Sequence, residues 1–236
     1  RPLKIKNIYK KITFSRRNEN YGNLMAHQSV IKLFKHCDPD IFIFCFQIPH
    51  HCPFCKKEII SYLVPPCVVP SPLNENEKPK AYSIVIKPTN GSFMSDYQEN
   101  DDLHIGITNL YGDVFNFDSV GVQKEKEGWD ECACIVLIKD GSPSDEEKEW
   151  MKKWNKCLSS SLKDTQWTKE RYDENQLNCY DYVIRMLSKI QGREMNKQDF
   201  VQDHILPTTK KVAKYLKLHK SILWSENGCH FQQSGQ

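Results

Sequence analysis

Three residues have the types and the spacing that catalysis by a thiol nucleophile requires: His104, Asn116 and Cys179. Cys179 follows Asn178 at a point where a helix is predicted to begin. The unpaired N–H groups and the dipole of a first helical turn favour a thiolate, so we expect the pKa of Cys179 to be lowered. A thiolate beside a histidine that can become imidazolium is a cysteine nucleophile, and the N–H of Cys179 can contribute to an oxyanion hole.

A predicted β-hairpin positions the histidine. The sequence LHIGI at 103–107 alternates between two kinds of residue, so the Leu and the two Ile side chains are predicted to face the core. His104 and Gly106 then share the opposite face. Because glycine has no side chain, we expect Gly106 to leave open space beside the imidazole.

The turn of this hairpin decides which residues face each other. Residues 109–112 are predicted to form the turn, in which Gly112 suits a left-handed conformation. If Thr108 pairs with Gly112, His104 lies directly across from Asn116 and their side chains point the same way. The amide of Asn116 then orients the imidazole, as the third group of a catalytic triad does.

This order of motifs resembles two families with circularly permuted papain-like folds, the lecithin:retinol acyltransferase-like proteins and the PPPDE-type peptidases. In those families the histidine strand precedes the nucleophile helix, and an Asn-Cys dipeptide begins that helix. The resemblance covers residues 82–190. It implies that His104 is the base, Asn116 the orienting residue and Cys179 the nucleophile.

A second cluster has the residue types of a zinc site. The knuckle Cys52-Pro53-Phe54-Cys55 brings two thiolates together in a tight turn, as half of a tetrahedral zinc site does. Cys37 lies across a predicted hairpin and is our third ligand. The fourth position remains open among His36, His50, His51 and Cys67. A closed site of four ligands would be structural, and buried free thiols are the alternative.

The remaining pattern predicts an α+β fold in which an antiparallel sheet packs against helices around the permuted papain-like core. The segment 30–48 is strand-like with a break at Asp38-Pro39-Asp40, and the Pro- and Asn-rich segment 65–80 is predicted to be a loop or linker. Strands are predicted at 82–87, 103–109, 114–117 and 132–138, and helices at 145–162, 178–190, 198–205 and 209–222.

The chain is divided at two points. Residues 1–24 are basic and precede Met25, and we expect a translated leader or flexible extension, with a mitochondrial presequence as the alternative. Residues 25–80 hold the first strands and the cysteine knuckle. Residues 81–236 form the predicted core with its C-terminal helices.

Charge and hydropathy exclude some classes of partner. The 33 basic and 30 acidic residues give a net charge of +3, which does not create the field of a nucleic-acid-binding protein. The apolar run at 41–46 is far too short for a membrane-spanning helix. Because no secretory signal pattern opens the chain, we expect a reducing, intracellular and cytoplasmic setting for the ten cysteines.

Several segments also resemble the uncharacterised makorin-2 opposite-strand family. They are the hairpin strand DLHIGITN at 102–109, the tripeptide EGW at 127–129, the stretch from Arg171 to Tyr180 that includes Asn178-Cys179, and the cysteine knuckle. The resemblance spans residues 30–222. It implies no activity.

Two functions follow from these patterns. The first is a thiol hydrolase or acyltransferase that forms a thioester at Cys179 with an amide or ester substrate and needs no cofactor. Because lipid acyl transfer usually needs a membrane anchor, a peptidase or amidase is the expected subtype. The second is a catalytically silent member of the fold that acts as a binding or structural module. Asp181 favours this second function, because its negative charge lies within one turn of Cys179 and opposes the formation of a thiolate.

Overall fold

The computed structural model describes residues 30–76, 78–95, 97–98, 101–138 and 143–234. In this part of the chain two antiparallel sheets are combined with helices, which confirms the α+β class. The predicted leader before Met25 lies outside the described residues. None of the described helices combines the length and the apolar character that a membrane span needs.

The elements follow one another in an order that places most strands before the helices. The strands are β1 (Lys32–Lys35), β2 (Ile41–Cys45), β3 (Val64–Val68), β4 (Ser83–Pro88), β5 (Leu103–Thr108), β6 (Val114–Asp118), β7 (Gly121–Glu125), β8 (Ala133–Val136) and β9 (Cys229–Gln233). The helices are α1 (Asp145–Ser161), α2 (Cys179–Gln191), α3 (Lys197–Phe200) and α4 (Leu206–Leu223), with a π-helical segment (Val201–Ile205) between the last two.

The larger sheet has the strand order β7-β6-β5-β4-β8 and carries the main core on one face. Ile105 and Ile107 of β5 are fully buried there, among aromatic side chains that include Trp154 of α1 and Tyr182 of α2. The side chains of β5 therefore alternate between the two faces of the sheet as predicted, and its Ile side chains face the helices.

The register of the histidine hairpin differs from the expected one by two residues. Thr108 pairs with Val114, and Gly106 pairs with Asn116. The reason is the loop, because Asn109 Oδ1 accepts the N–H groups of both Tyr111 and Asp113 and extends the turn beyond Gly112. A shift of two residues keeps each side chain on its face, whereas a shift of one would have reversed it.

Gly106 does not leave open space. A methyl group built on its Cα would overlap Cγ1 of Val114 and lie 3.2 Å from Cη2 of Trp129. The expectation of a gap beside the imidazole is therefore wrong. The indole of Trp129 needs a glycine beneath it in order to pack this closely on the sheet.

The pairing of β5 with β6 stops before either strand ends. Gly106 and Asn116 form its last pair, although β5 begins at Leu103 and β6 runs to Asp118. On its other side β5 remains paired with β4 through His104 and Leu103. The strands thus lose their mutual pairing at the end that carries the histidine, and α2 packs on both of them.

The smaller sheet has the order β3-β1-β2-β9. Of the segment 65–80, predicted as a loop or linker, the described residues after 68 contain no strand or helix, as predicted, whereas residues 65–68 form most of the edge strand β3. Its two prolines are tolerated because an edge strand has an unpaired side. Strand β9 was not predicted, and it pairs with β2 over five residues, including Cys45 with Cys229. The last strand therefore completes the sheet that the first strands begin.

The helix ends agree with the capping signals in the sequence. Asn178 caps α2 and shares a capping box with Asp181, and Gly192 ends this helix in the left-handed conformation. The two helices predicted at 198–205 and 209–222 form one continuous helical stretch with a π-helical segment. Pro207 lies at the junction, where its missing N–H removes one bond of the α-helical pattern.

We expect Gly106→Ala to destabilise the fold by about 1–3 kcal/mol, because the added methyl group must displace Val114 or Trp129 in a close-packed layer. Gly106→Val should cost more. Thermal unfolding measures the loss, and tryptophan fluorescence reports the displaced indole. Unchanged unfolding in both variants would contradict this packing.

Candidate functional site

A cleft of about 590 Å³ lies where β5 and β6 cease to pair, and both His104 and Cys179 line it. His104 comes from β5, and Cys179 comes from the first turn of α2. Asn116 of β6 also lines the cleft. The tertiary structure thus brings all three predicted residues to one cavity.

A hydrogen bond of 3.0 Å joins His104 Nε2 to Asn116 Oδ1. The orientation of this amide is defined by its other end, because Asn116 Nδ2 donates to Glu125 Oε2 at 2.7 Å and a carboxylate can only accept. Oδ1 therefore faces the histidine, and Nε2 carries the ring proton. Nδ1 has no hydrogen-bond partner among the described residues, and its lone pair is available as a base.

Glu125 and Trp129 belong to this network, although the sequence analysis assigned neither of them a role in the site. Glu125 Oε2 also accepts from Trp129 Nε1 at 2.7 Å, and the indole lies against the imidazole with ring centroids 5.6 Å apart. The sequence signal that could have identified Glu125 is its position in the hairpin of β6 and β7. In its register Asn116 faces Gln123, so Glu125 lies diagonally across on the same face.

Burial lowers the pKa of His104 below its ordinary value, because the cleft wall disfavours the imidazolium. The hydrogen bond to Asn116 acts in the opposite direction, and the positive charge of Lys87 adds to the lowering. The imidazole is therefore neutral at neutral pH. In that form it can accept a proton.

Cys179 differs from the sequence expectation. Its side chain is only 5% exposed, and burial raises the pKa of the thiol. The backbone N–H groups of Ile105, Tyr180 and Cys179 itself oppose this rise but do not overcome it. The expected lowering of the pKa of Cys179 is thus wrong, because packing against the sheet removes the water that would solvate a thiolate.

Asp181 does not present a free negative charge to the thiol. Its Oδ2 accepts the backbone N–H of Asn178 at 3.0 Å and forms a salt bridge of 2.9 Å with Lys197 Nζ. The charge of Lys197 also lowers the pKa of Cys179. The argument that Asp181 disables Cys179 is weakened, because the carboxylate has a capping role and a cationic partner.

The resting site therefore holds a neutral thiol and a neutral imidazole. This state differs from a preformed thiolate–imidazolium pair, and it suits a mechanism in which the base removes the proton while sulfur attacks. As the first residue of α2, Cys179 also has a backbone N–H without a partner inside the helix. That N–H is suitably placed to stabilise negative charge.

The predicted metal ligands form a second cluster, on the smaller sheet. The ligand atoms of His36, Cys37, Cys52 and Cys55 all lie within 4.8 Å of one another. Of the candidates for the fourth position, His36 joins the three cysteines. His50, His51 and Cys67 are not members of this cluster.

Comparisons with known proteins agree with the second resemblance described above. A family model described as DUF4796 C-terminal matches residues 66–222. The human protein named MKRN2 opposite strand protein is 30% identical over 203 residues, which cover 84% of this chain and 87% of that protein. No solved structure matches. The chain therefore belongs to the DUF4796 C-terminal family.

Proposed function

We propose that the protein is a cysteine-dependent hydrolase of the amidase or peptidase type, with Cys179 as nucleophile, His104 as base and Asn116 as the residue that orients it. One observation carries the proposal. The hydrogen bonds from Glu125 through Asn116 hold His104 in the tautomer whose Nδ1 is free, within the cleft that Cys179 also lines.

The reaction would proceed through a thioester. His104 Nδ1 takes the thiol proton while Cys179 Sγ attacks the carbonyl carbon, and the N–H of Cys179 stabilises the oxyanion. The imidazolium then returns the proton to the leaving amine or alcohol. Water attacks the thioester with His104 again as base, the acid is released, and the sulfur recovers its proton.

The lining of the cleft supports a polar substrate. Asp102, Asp118 and Glu174 contribute carboxylates, whereas Lys87 contributes an ammonium group. A long acyl chain would need an apolar channel, and this cleft has mostly polar walls. An amide or ester with a cationic side chain matches the excess of negative charge.

The order of the site residues along the chain also supports a permuted papain-like core. The histidine strand β5 and the orienting strand β6 precede the nucleophile helix α2, which begins at Asn178-Cys179. The resemblance to lecithin:retinol acyltransferase-like and PPPDE-type proteins rests on the same order. The acyltransferase subtype is disfavoured by the polar cleft.

A catalytically silent binding module is the second candidate. The burial of Cys179 favours it, because a thiol that is 5% exposed with a raised pKa is a weak nucleophile without help from a base. The two candidates differ in whether His104 changes the reactivity of this thiol.

The first test is acetylation of Cys179 by p-nitrophenyl acetate, located by peptide mass spectrometry. Because burial lowers the pKa of His104, the wild-type rate should be level near pH 7 and should fall as acid protonates the imidazole. In His104→Ala the rate at pH 7 should drop about 10²–10⁴-fold. The rate of this variant should then rise steadily with pH, since burial raises the pKa of the thiol and base is needed to form the thiolate.

Two variants serve as controls for this test. Cys179→Ser should abolish acetylation at that position, while Cys67→Ser, which changes an exposed cysteine of β3, should leave the profile intact. If Cys179 reacted no faster than Cys67 and His104→Ala had no effect, the silent module would replace the enzyme.

A second test concerns Glu125 as a positioning residue. Glu125→Leu removes the acceptor that orients Asn116, and we expect kcat to fall about 10-fold or more with little change in KM, as for a lost positioning group. Glu125→Gln keeps an acceptor oxygen and should restore most of the rate. The acid limb of the pH–rate profile of Glu125→Gln should move to lower pH, because the lost negative charge had raised the pKa of His104. Equal losses in both variants would indicate a merely structural role.

A third test addresses substrate charge. Ester reporters with a lysine side chain should have a higher kcat/KM than matched glutamate reporters, because the cleft carries excess carboxylate. Glu174→Gln should narrow this preference by about two- to fivefold at low salt, since one charge at the cleft wall contributes up to about 1 kcal/mol. No preference between the two reporters would contradict the assignment of a cationic substrate.

A further inference from the structure

We propose that His36, Cys37, Cys52 and Cys55 bind one structural zinc ion. The four residues come from two loops of the smaller sheet. His36 and Cys37 directly follow β1, and the knuckle Cys52–Cys55 follows β2. This position belongs to the smaller sheet, whereas the catalytic proposal concerns the cleft of the larger sheet.

The distances between ligand atoms match a tetrahedral ion. With Zn–S bonds near 2.3 Å and Zn–N bonds near 2.0 Å, tetrahedral geometry requires sulfurs about 3.8 Å apart and sulfur about 3.5 Å from nitrogen. Cys37 Sγ lies 3.9 Å from Cys52 Sγ, and Cys55 Sγ lies 3.6 Å from His36 Nδ1. Two of the six ligand pairs therefore have the separation of tetrahedral zinc ligands, and the remaining pairs lie within 4.8 Å of one another.

The backbone of the knuckle supports the same conclusion. The N–H of Lys56 bonds to the carbonyl of Cys52 at 2.8 Å, and Lys56 has a φ of 65°, a left-handed conformation that costs a non-glycine residue energy. This turn points both sulfurs to one side.

Free thiols and a disulfide fit the cluster less well. A disulfide needs sulfurs about 2.05 Å apart and uses them in pairs, whereas three sulfurs and an imidazole nitrogen converge here. Three thiolates at this separation would repel one another, and a divalent cation offsets that repulsion. Three thiolates with one imidazole also match the Cys₃His set of structural zinc sites, in which no ligand position is left for substrate.

Zinc would link two loops beside one of the two small apolar clusters of the smaller sheet. Phe34, Ile43, Cys45, Cys52 and Cys229 form the buried cluster beside the knuckle. Such a small cluster buries little apolar surface, and a metal crosslink adds stability where a core cannot. Cys229 belongs to β9, so the zinc would also stabilise the attachment of the last strand.

The test is metal analysis of the purified full chain. We expect about one zinc per chain, and cobalt substitution should give the absorption of tetrahedral cobalt together with a thiolate charge-transfer band. Cys52→Ser, Cys55→Ser and His36→Ala should lose or weaken metal binding. The matched controls Cys67→Ser and His50→Ala should retain it, because those residues lie outside the cluster.

A measurement on the wild-type protein covers the case in which these variants fail to fold. Chelation should increase hydrogen exchange in β1, β2 and β9 and leave β5 and β6 protected. Zinc well below one per chain after expression with added zinc, or chelation without effect on the smaller sheet, would overturn the proposal. Acetylation of Cys179 is measured separately, so a failure here does not bear on the catalytic proposal.

Discussion

The arrangement of the cleft depends on the contact between the first turn of α2 and the end of β5. There β5 continues beyond its pairing with β6, and the N–H of Ile105 is directed to the sulfur of Cys179. This contact buries the thiol and raises its pKa, because the loss of water outweighs the nearby N–H groups. The same contact places Cys179 and His104 along one cleft.

The histidine is held on its own face of the sheet by a chain of polar groups, each of which has a hydrogen-bond partner. Glu125 accepts from Asn116 and Trp129, and Asn116 accepts from His104. Such a chain of hydrogen bonds in a partly buried site defines a single tautomer, because any flip would leave a buried donor or acceptor without a partner. Gly106 belongs to this arrangement, since a side chain there would prevent Trp129 from covering the strand.

The smaller sheet differs from the larger one in the interactions that stabilise it. Its buried apolar residues belong to two small clusters, its edge strand β3 contains two prolines, and its fourth strand comes from the end of the chain. Local loops bring three thiols and one imidazole to within 4.8 Å of one another. A crosslink between loops stabilises a sheet assembled from distant segments. It does so because the crosslinked segments gain less conformational entropy when the sheet opens.

The sequence by itself determined the local features. The alternation of residues 103–107, the Asn178 cap and the Gly192 stop depend on neighbouring residues, and each can be read from spacing alone. Only the tertiary structure decided the two-residue register shift, the place of β9 beside β2, the role of Glu125 and the choice of His36 in the cluster. It also decided the pKa of Cys179, because burial by a distant strand reverses the effect of the helix end.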